Sequence, residues 1–366
     1  MLKMRYGSRM GREKLEPFAP WSAVDRQPPW VIAGPCCAKS RRHAVSTGRE
    51  IAALPQVEAF QAGLWCARTQ PSTAEGAGEA GLDWLCEVRE ETGLRIATEI
   101  AEPSHVDHCL KAGVDILWIS ARTTMDPAVV HEIAKAFRGC AVPVMVKNPP
   151  TPDLGLWLGA IEHIGQFIAA PVIAVHRGFS AYRGTVYDNH PHWQLPIELK
   201  LRFPEIPLVC NPNQIAGKRE LVPRVSQMAL DLGIHGLMIE TDHDTDPKLS
   251  TERCHLTPEA LATLLAALRP RVPGVPDRAA AEEMARIRSL IDAVDRKIIL
   301  DLAERFRLVE EIGRIKYQQR IPVLQLARWE DLLVDHLEQA AGIGLDKHLV
   351  KALFEIIHAK AVEIQL

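Results

Sequence analysis

The sequence predicts an α/β protein, a (β/α)8 TIM barrel followed by a small all-α helical domain. Three observations carry that prediction. Short apolar runs alternate with helical patterns eight times between residues 29 and 268, as parallel βαβ units do. A proline-rich stretch, RPRVPGVPDRAA at 269–280, then interrupts with linker composition. Beyond it the apolar periodicity is purely helical. The expected organisation is a lead segment at 1–28, a barrel at 29–268, a linker at 269–280 and a helical domain at 281–366.

In order, the apolar runs are Trp30–Gly34, Val57–Trp65, Arg95–Ile100, Ile116–Ser120, Pro143–Asn148, Val172–Gly178, Pro207–Pro212 and Gly236–Asp242. Each core is aliphatic on both alternations, as a strand buried on both faces must be. Gly81–Thr92, Asp126–Phe137 and Gly217–Leu232 read as helices between them. An open doubly wound sheet is the competing layout, but the first loop, GPCCAKS, lacks the G-x-G-x-x-G pattern usual there. In the tail, Ile287, Ile291, Val294, Ile298, Leu302, Phe306, Val309 and Ile312 step by three or four. This predicts one amphipathic helix of about 35 residues, roughly 50 Å long. Shorter helices are expected near Ala327–Gln339 and Asp346–Ile364. A helix this long cannot bury its stripe alone, so the reading includes a homodimer formed through the helical domain.

Composition narrows the function classes. The 366 residues carry 43 Lys+Arg against 46 Asp+Glu, a net charge of −3, which leaves no electrostatic footprint for nucleic acid. No apolar run approaches the roughly 18 residues of a membrane span, so no membrane partner is expected. The first 28 residues hold charge and proline where a signal peptide needs an apolar run, and a cytoplasmic protein is expected. The 8 cysteines are scattered without a C-x-x-C pair, and in that compartment they read as thiols rather than disulfides.

A barrel places its chemistry at the carboxyl ends of its strands, and the polar residues collect there. Cys36 follows the first run, Cys66 and Arg68 the second, and Glu99 ends the third. Arg122 and Lys147 follow the fourth and fifth, His176 and Arg177 the sixth, Asn211 and Gln214 the seventh, and Glu240 and Asp242 the eighth. Four cations aimed at one mouth, Arg68, Arg122, Lys147 and Arg177, suit phosphate and carboxylate groups on a small anionic substrate. Trp65, Trp118, Trp157 and Trp193 read as core.

The stretches AGPCCAKS, QAGLWCARTQPSTAEGAGEAGL, ATEI, ILWISARTT, PVMVKNP, AVHRGFS, PIELKLRFPEIPLVCNPNQIAGKRE and GLMIETDHDTDPKLS together resemble the type I 3-deoxy-D-arabino-heptulosonate-7-phosphate (DAHP) synthases of the shikimate pathway. The tail, through RIRSLIDAVDRKIILDLAERFRLVEEIGRIK, RWEDLL and LFEIIHAKAVEIQ, resembles the all-helical chorismate mutases. The whole chain resembles bifunctional synthase–mutase fusions.

For the barrel, the resemblance implies condensation of phosphoenolpyruvate with erythrose 4-phosphate at a divalent, manganese-type metal held by Cys, His, Glu and Asp. Cys36 and Glu240 match two of these ligands. At the His position, D-P-S-H in the family, the chain reads Asn211-Pro212-Asn213-Gln214. At the Asp position, S-D-A, it reads Ser250-Thr251. The family's K-P-R-T reads Cys66-Ala67-Arg68-Thr69, and a family Arg reads Gln61. Retained are Arg68, Thr69, Arg122, Lys147, His176 and Arg177, which the family uses for phosphate and carboxylate groups. The expectation is an incomplete metal site, with Gln214 and Thr251 at the lost positions and no cofactor, and a barrel impaired in the condensation.

For the tail, the resemblance implies rearrangement of chorismate to prephenate, with Arg288, Arg305, Lys316, Arg328 and Gln365 as the catalytic set. Arg288, Arg305 and Lys316 are 17 and 11 residues apart and read as one face of the long helix. The alternatives are a catalytically dead regulatory or scaffold protein, or a barrel with altered chemistry on a phosphorylated substrate.

Overall fold

The computed structural model describes residues 29–65, 76–180, 186–243, 253–271, 274 and 277–366. Two compact units divide the chain, Met1–Pro273 and Gly274–Leu366.

The first unit holds eight parallel strands: β1 (Trp30–Gly34), β2 (Val57–Gln61), β3 (Arg95–Ile100), β4 (Ile116–Ile119), β5 (Val144–Lys147), β6 (Val172–His176), β9 (Leu208–Cys210) and β10 (Gly236–Glu240). They close into a barrel in the order β1-β10-β9-β6-β5-β4-β3-β2. A two-stranded hairpin, β7 (Phe179–Ser180) with β8 (Asn189–His190), interrupts the run after β6. The helices are α1 (Arg41–Ala52), α2 (Ala80–Thr92), α3 (Pro103–Ala112), α4 (Pro127–Ala136), α5 (Leu154–Gly165), α6 (Gln194–Arg202), α7 (Pro212–Ala216), α8 (Val222–Asp231) and α9 (Pro258–Ala267).

The expected double-sided burial of the strands appears as two cores. Ile32, Ala59, Ala97, Trp118, Met145 and Val209 fill the barrel interior. The opposite faces, with Val31, Phe60, Ile96 and Leu117 among them, pack beneath the helices in a second cluster. Trp118 and Trp157 are core residues, while Trp65 is half-buried and stacks on His105. Side-chain caps start several helices: Ser40, Asp126, Asp153 and Thr257 each accept a backbone N–H in the first turn of α1, α4, α5 and α9.

Three local expectations are corrected. The segment Gly217–Leu232 is not one helix. Asn211 caps the short α7, Gly217 ends it at φ +64°, and α8 starts only at Val222. A Cβ at Gly217 would meet the Asp188 carboxyl at 1.9 Å, so the turn depends on glycine there. The second strand stops at Gln61 rather than Trp65, because Gly63 turns to bridge Cys37. Cys37 is disulfide-bonded where a thiol was expected; Cys36, Cys86, Cys109, Cys140, Cys210 and Cys254 carry thiols.

In the second unit, Asp277 caps α10 (Arg278–Gln319), a single helix of 42 residues, about 60 Å at 1.5 Å per residue. It is followed by α11 (Leu326–Gly342) and α12 (Lys347–Gln365). Gly313 of α10 lets α12 approach closely, since a Cβ there would lie 3.1 Å from Gln365 Cγ. No helix among the described residues is long and apolar enough to cross a membrane.

Candidate functional site

The barrel's mouth is assembled by closure of the first strand on the last. The register pairs Gly34 with Glu240, which brings Cys36, just past β1, beside the carboxylate that ends β10. Beyond β10 the chain returns: Leu256 N–H donates to the Glu240 carbonyl at 3.0 Å and Asp242 N–H to the Leu256 carbonyl at 2.9 Å. This ladder fixes His255 against the end of β10. Ligand-type atoms of Cys36, Glu240 and His255 lie within 4.8 Å of one another. The sequence reading identified Cys36 and Glu240 but missed His255. No linear spacing marks this histidine; only the bridge between Thr241 and Leu256 brings it to the mouth.

The electrostatics follow from that crowding. Burial would raise the Glu240 carboxyl, but His255, Lys147 and Gln214 hold it at about 2. Burial opposes charge on His255, yet Asp242, Cys36 and Glu240 together lift its pKa well above the ordinary value. Protein packed round Cys36, which opens to the mouth on one side, raises its thiol pKa, and the negative charge of Glu240 adds to this. Asp242 is fully buried. It faces His43 Nε2 at 2.6 Å and Lys39 Nζ at 3.4 Å.

Gln214 does not stand in for a ligand. Its Oε1 accepts from Arg177 Nε at 3.0 Å and its Nε2 donates to Glu240 Oε1 at 2.7 Å. The amide orientation assigned by that network bridges a cation to the acid. Asn211 also donates to Glu240 Oε1 at 3.2 Å, and Asn213 brackets the Glu240 backbone. These neutral amides hold the carboxylate in one orientation.

Of the expected anion-binding residues, Lys147 sits at the centre. It is 6% exposed, lies 5.2 Å from the Trp118 ring centroid, and acts electrostatically on Cys36, Glu99 and Glu240. Burial raises the Glu99 carboxyl, while Lys147, the Trp118 N–H and Arg122 counter it. Burial lowers the Arg177 guanidinium to about 10, and its Nη1 donates to Asn189 at 3.1 Å. Arg122 is exposed and close enough to Glu99 and Arg177 to act on both. His176 departs from the expectation that it holds phosphate. It is fully buried among Trp157, Phe179 and Trp193, and neither ring nitrogen reaches solvent. The expected Arg68, Thr69 and Thr251 lie outside the described residues, as does Cys66. Gln61 is buried, donating to the Gly34 carbonyl at 3.1 Å and the Ile239 carbonyl at 3.3 Å. It ties β2 to its neighbours instead of facing a ligand.

In the helical unit, Arg305, Lys316, Trp329, His358 and Gln365 gather where α10 meets α12 and the start of α11. Arg305 and Lys316 are 11 residues apart, within about 20° on one helical face. Burial lowers the His358 pKa, and the positive charges of Arg305 and Lys316 lower it further. Trp329 stacks on His358 with centroids 4.0 Å apart. Lys316 Nζ donates to the Val323 carbonyl at 2.7 Å. Arg305 Nη1 and Gln365 Oε1 are buried with no hydrogen-bond partner. Arg328, next to Trp329, is exposed. Arg288 does not share the face as expected. Seventeen residues turn it about 100° from Arg305 and place it about 25 Å away along the axis.

Comparison with known proteins accords with both halves. Residues 23–271 match the family model of the DAHP synthetase I family, and residues 287–366 match chorismate mutase type II. The chain therefore belongs to the DAHP synthetase I family, with a chorismate mutase domain joined to its barrel. A phospho-2-dehydro-3-deoxyheptonate aldolase of Thermotoga maritima is 24% identical over 220 residues, covering 60% of this chain, which spans 63% of that relative's length. A 2-dehydro-3-deoxyphosphooctonate aldolase of Rhodopseudomonas palustris strain TIE-1 is 31% identical over 237 residues, 59% of this chain and 78% of the relative. The solved DAHP synthase of Thermotoga maritima superposes with a TM-score of 0.56 at 24% identity, covering 65% of this chain and 67% of the other. That structural likeness shows the fold.

Proposed function

We propose that the helical unit rearranges chorismate to prephenate, and that the barrel binds a small phosphate- and carboxylate-bearing ligand with impaired capacity for the synthase condensation. One observation carries the mutase reading. Arg305 Nη1 and Gln365 Oε1 are buried and unpartnered beside Lys316. A buried polar atom without a partner costs about 1–3 kcal/mol; a ligand carboxylate would satisfy the Arg305 donor and a ligand hydroxyl the Gln365 Oε1 acceptor.

The rearrangement breaks one C–O bond and forms one C–C bond within a single molecule. No nucleophile and no proton carrier is required. The protein's part is to hold the compact conformer and to place positive charge beside the developing enolate. Arg305 and Lys316 supply that charge, and Gln365 serves the ether oxygen with Lys316 once its amide turns Nε2 away from the Ala361 carbonyl. Arg328 lies at the rim, and Arg288 comes from a second copy of the chain. In the barrel, Lys147, Arg122 and Arg177 receive the anionic groups, supported by the family match.

The test is turnover of chorismate by the purified chain. Arg305→Ala and Lys316→Ala should each lower turnover by about 10²-fold, the size expected when a preorganised charge at a forming anion is lost. The double variant should lose far less than the product of the two, because both act in one transition state. An unmutated protein without measurable turnover would overturn the reading.

A further inference from the structure

The family implies a divalent metal, and two of its four ligand positions are altered here. The donors that remain must therefore be weighed from this structure's own geometry. Thiol, carboxylate and imidazole groups of Cys36, Glu240 and His255 converge within 4.8 Å. His255 is 2% exposed, and both of its ring nitrogens face carboxylates rather than solvent. Nε2 is 3.3 Å from Glu240 Oε2, on the side of the cluster, while Nδ1 is 3.9 Å from Asp242 Oδ2. At this ion-pair distance Asp242 stands on the side from which a carboxylate orients a metal-binding imidazole. Asp242 is in turn held by His43. The Gln214 oxygen is turned to Arg177, and its Nε2 rather than its oxygen meets Glu240. The mixed donor set fits a borderline-soft divalent ion.

We propose that the barrel binds one divalent transition-metal ion through Cys36 Sγ, Glu240 and His255 Nε2, with Asp242 as the positioning residue behind His255. The imidazole of the family site has not been lost. It is supplied from the segment bridged to the end of β10 through Thr241 and Leu256 instead of from the start of α7. Three protein ligands leave coordination positions open, and Lys147 stands beside them to receive an anionic group. This inference is independent of the mutase reading, because it concerns the other unit and a different measurement.

The experiment uses the full chain, stripped of metal and reloaded with Co²⁺. The expected result is one ion per chain and a thiolate-to-cobalt charge-transfer band. Cys36→Ser should abolish the band. Cys254→Ala should keep it, although its Sγ is 4.0 Å from Glu240. His255→Ala should weaken binding by more than about 10²-fold, and Asp242→Asn by about 10–100-fold with the band retained. X-ray absorption on the loaded, unmutated chain should show one sulfur and imidazole scattering, which keeps the test decisive if a variant does not fold. Binding far below one equivalent, a band that survives Cys36→Ser, or the absence of imidazole scattering overturns the proposal.

Discussion

His176 shows how strongly a single side chain can depend on its surroundings. Its ring lies 5.0 Å from that of Trp193 and 5.8 Å from that of Phe179, and burial lowers its pKa to about 3. The unfolded chain takes up a proton on this residue near pH 6.5, whereas the folded chain does so only near 3. The stabilisation is therefore intact above about pH 6.5 and is lost as pH falls, at about 1.4 kcal/mol per pH unit. His176→Phe removes the titrating group from an aromatic cage. Between pH 7 and pH 5, the unmutated barrel should lose about 2 kcal/mol more than this variant. Urea unfolding of both proteins at the two pH values reads the difference, and equal losses would remove His176 as the source.

At the scale of the element, Gly34 governs how β1 meets β2. Its φ is +147°, and a Cβ would stand 2.1 Å from the Gln61 carbonyl oxygen. That oxygen is backbone, so no rotamer change relieves the clash. Gly34→Ala should cost about 3 kcal/mol or more, as overpacking and backbone strain combine. It should also move Cys36, two residues on. Gly93 is the left-handed cap of α2 at φ +72°, and a Cβ there would meet nothing within 4 Å. Gly93→Ala should therefore cost only the conformational term, about 1–2 kcal/mol. Denaturant midpoints of the two variants separate steric packing from backbone preference.

At the scale of the whole molecule, α10 carries an apolar stripe that α11 and α12 leave uncovered. Ile287, Ile291, Val294 and Ile298 are 43–58% exposed. Covering such a side chain fully is worth about 1.5–3 kcal/mol, which favours pairing with a second copy. Sedimentation should give a dimer, and Ile291→Glu with Ile298→Glu should give a monomer with little mutase turnover. The distance of Arg288 from Arg305 adds a sharper expectation. Mixing Arg288→Ala chains with Arg305→Ala chains should restore one intact pocket per mixed dimer and recover part of the activity. Turnover in the unmutated protein without recovery on mixing refutes the shared pocket alone.

The succession of strands, their double-sided burial and the three tail helices were legible in the sequence, because these are written in periods of two and of three to four residues. Val172–His176 and Arg95–Ile100 needed nothing beyond their own neighbours to be recognised. The same reading placed Cys36, Lys147 and Glu240 at strand ends, and hence at one mouth. Other properties were decided only by closure of the barrel. The register of β1 against β10, and the return of the chain along β10, bring His255 to Cys36 from the far end of the barrel sequence. The same closure directs the Gln214 oxygen to Arg177 and encloses His176 among aromatic rings. Side-chain patterning specifies which face of an element is buried. The partner a polar group meets there is set by the packing of elements distant in sequence, which no local period encodes.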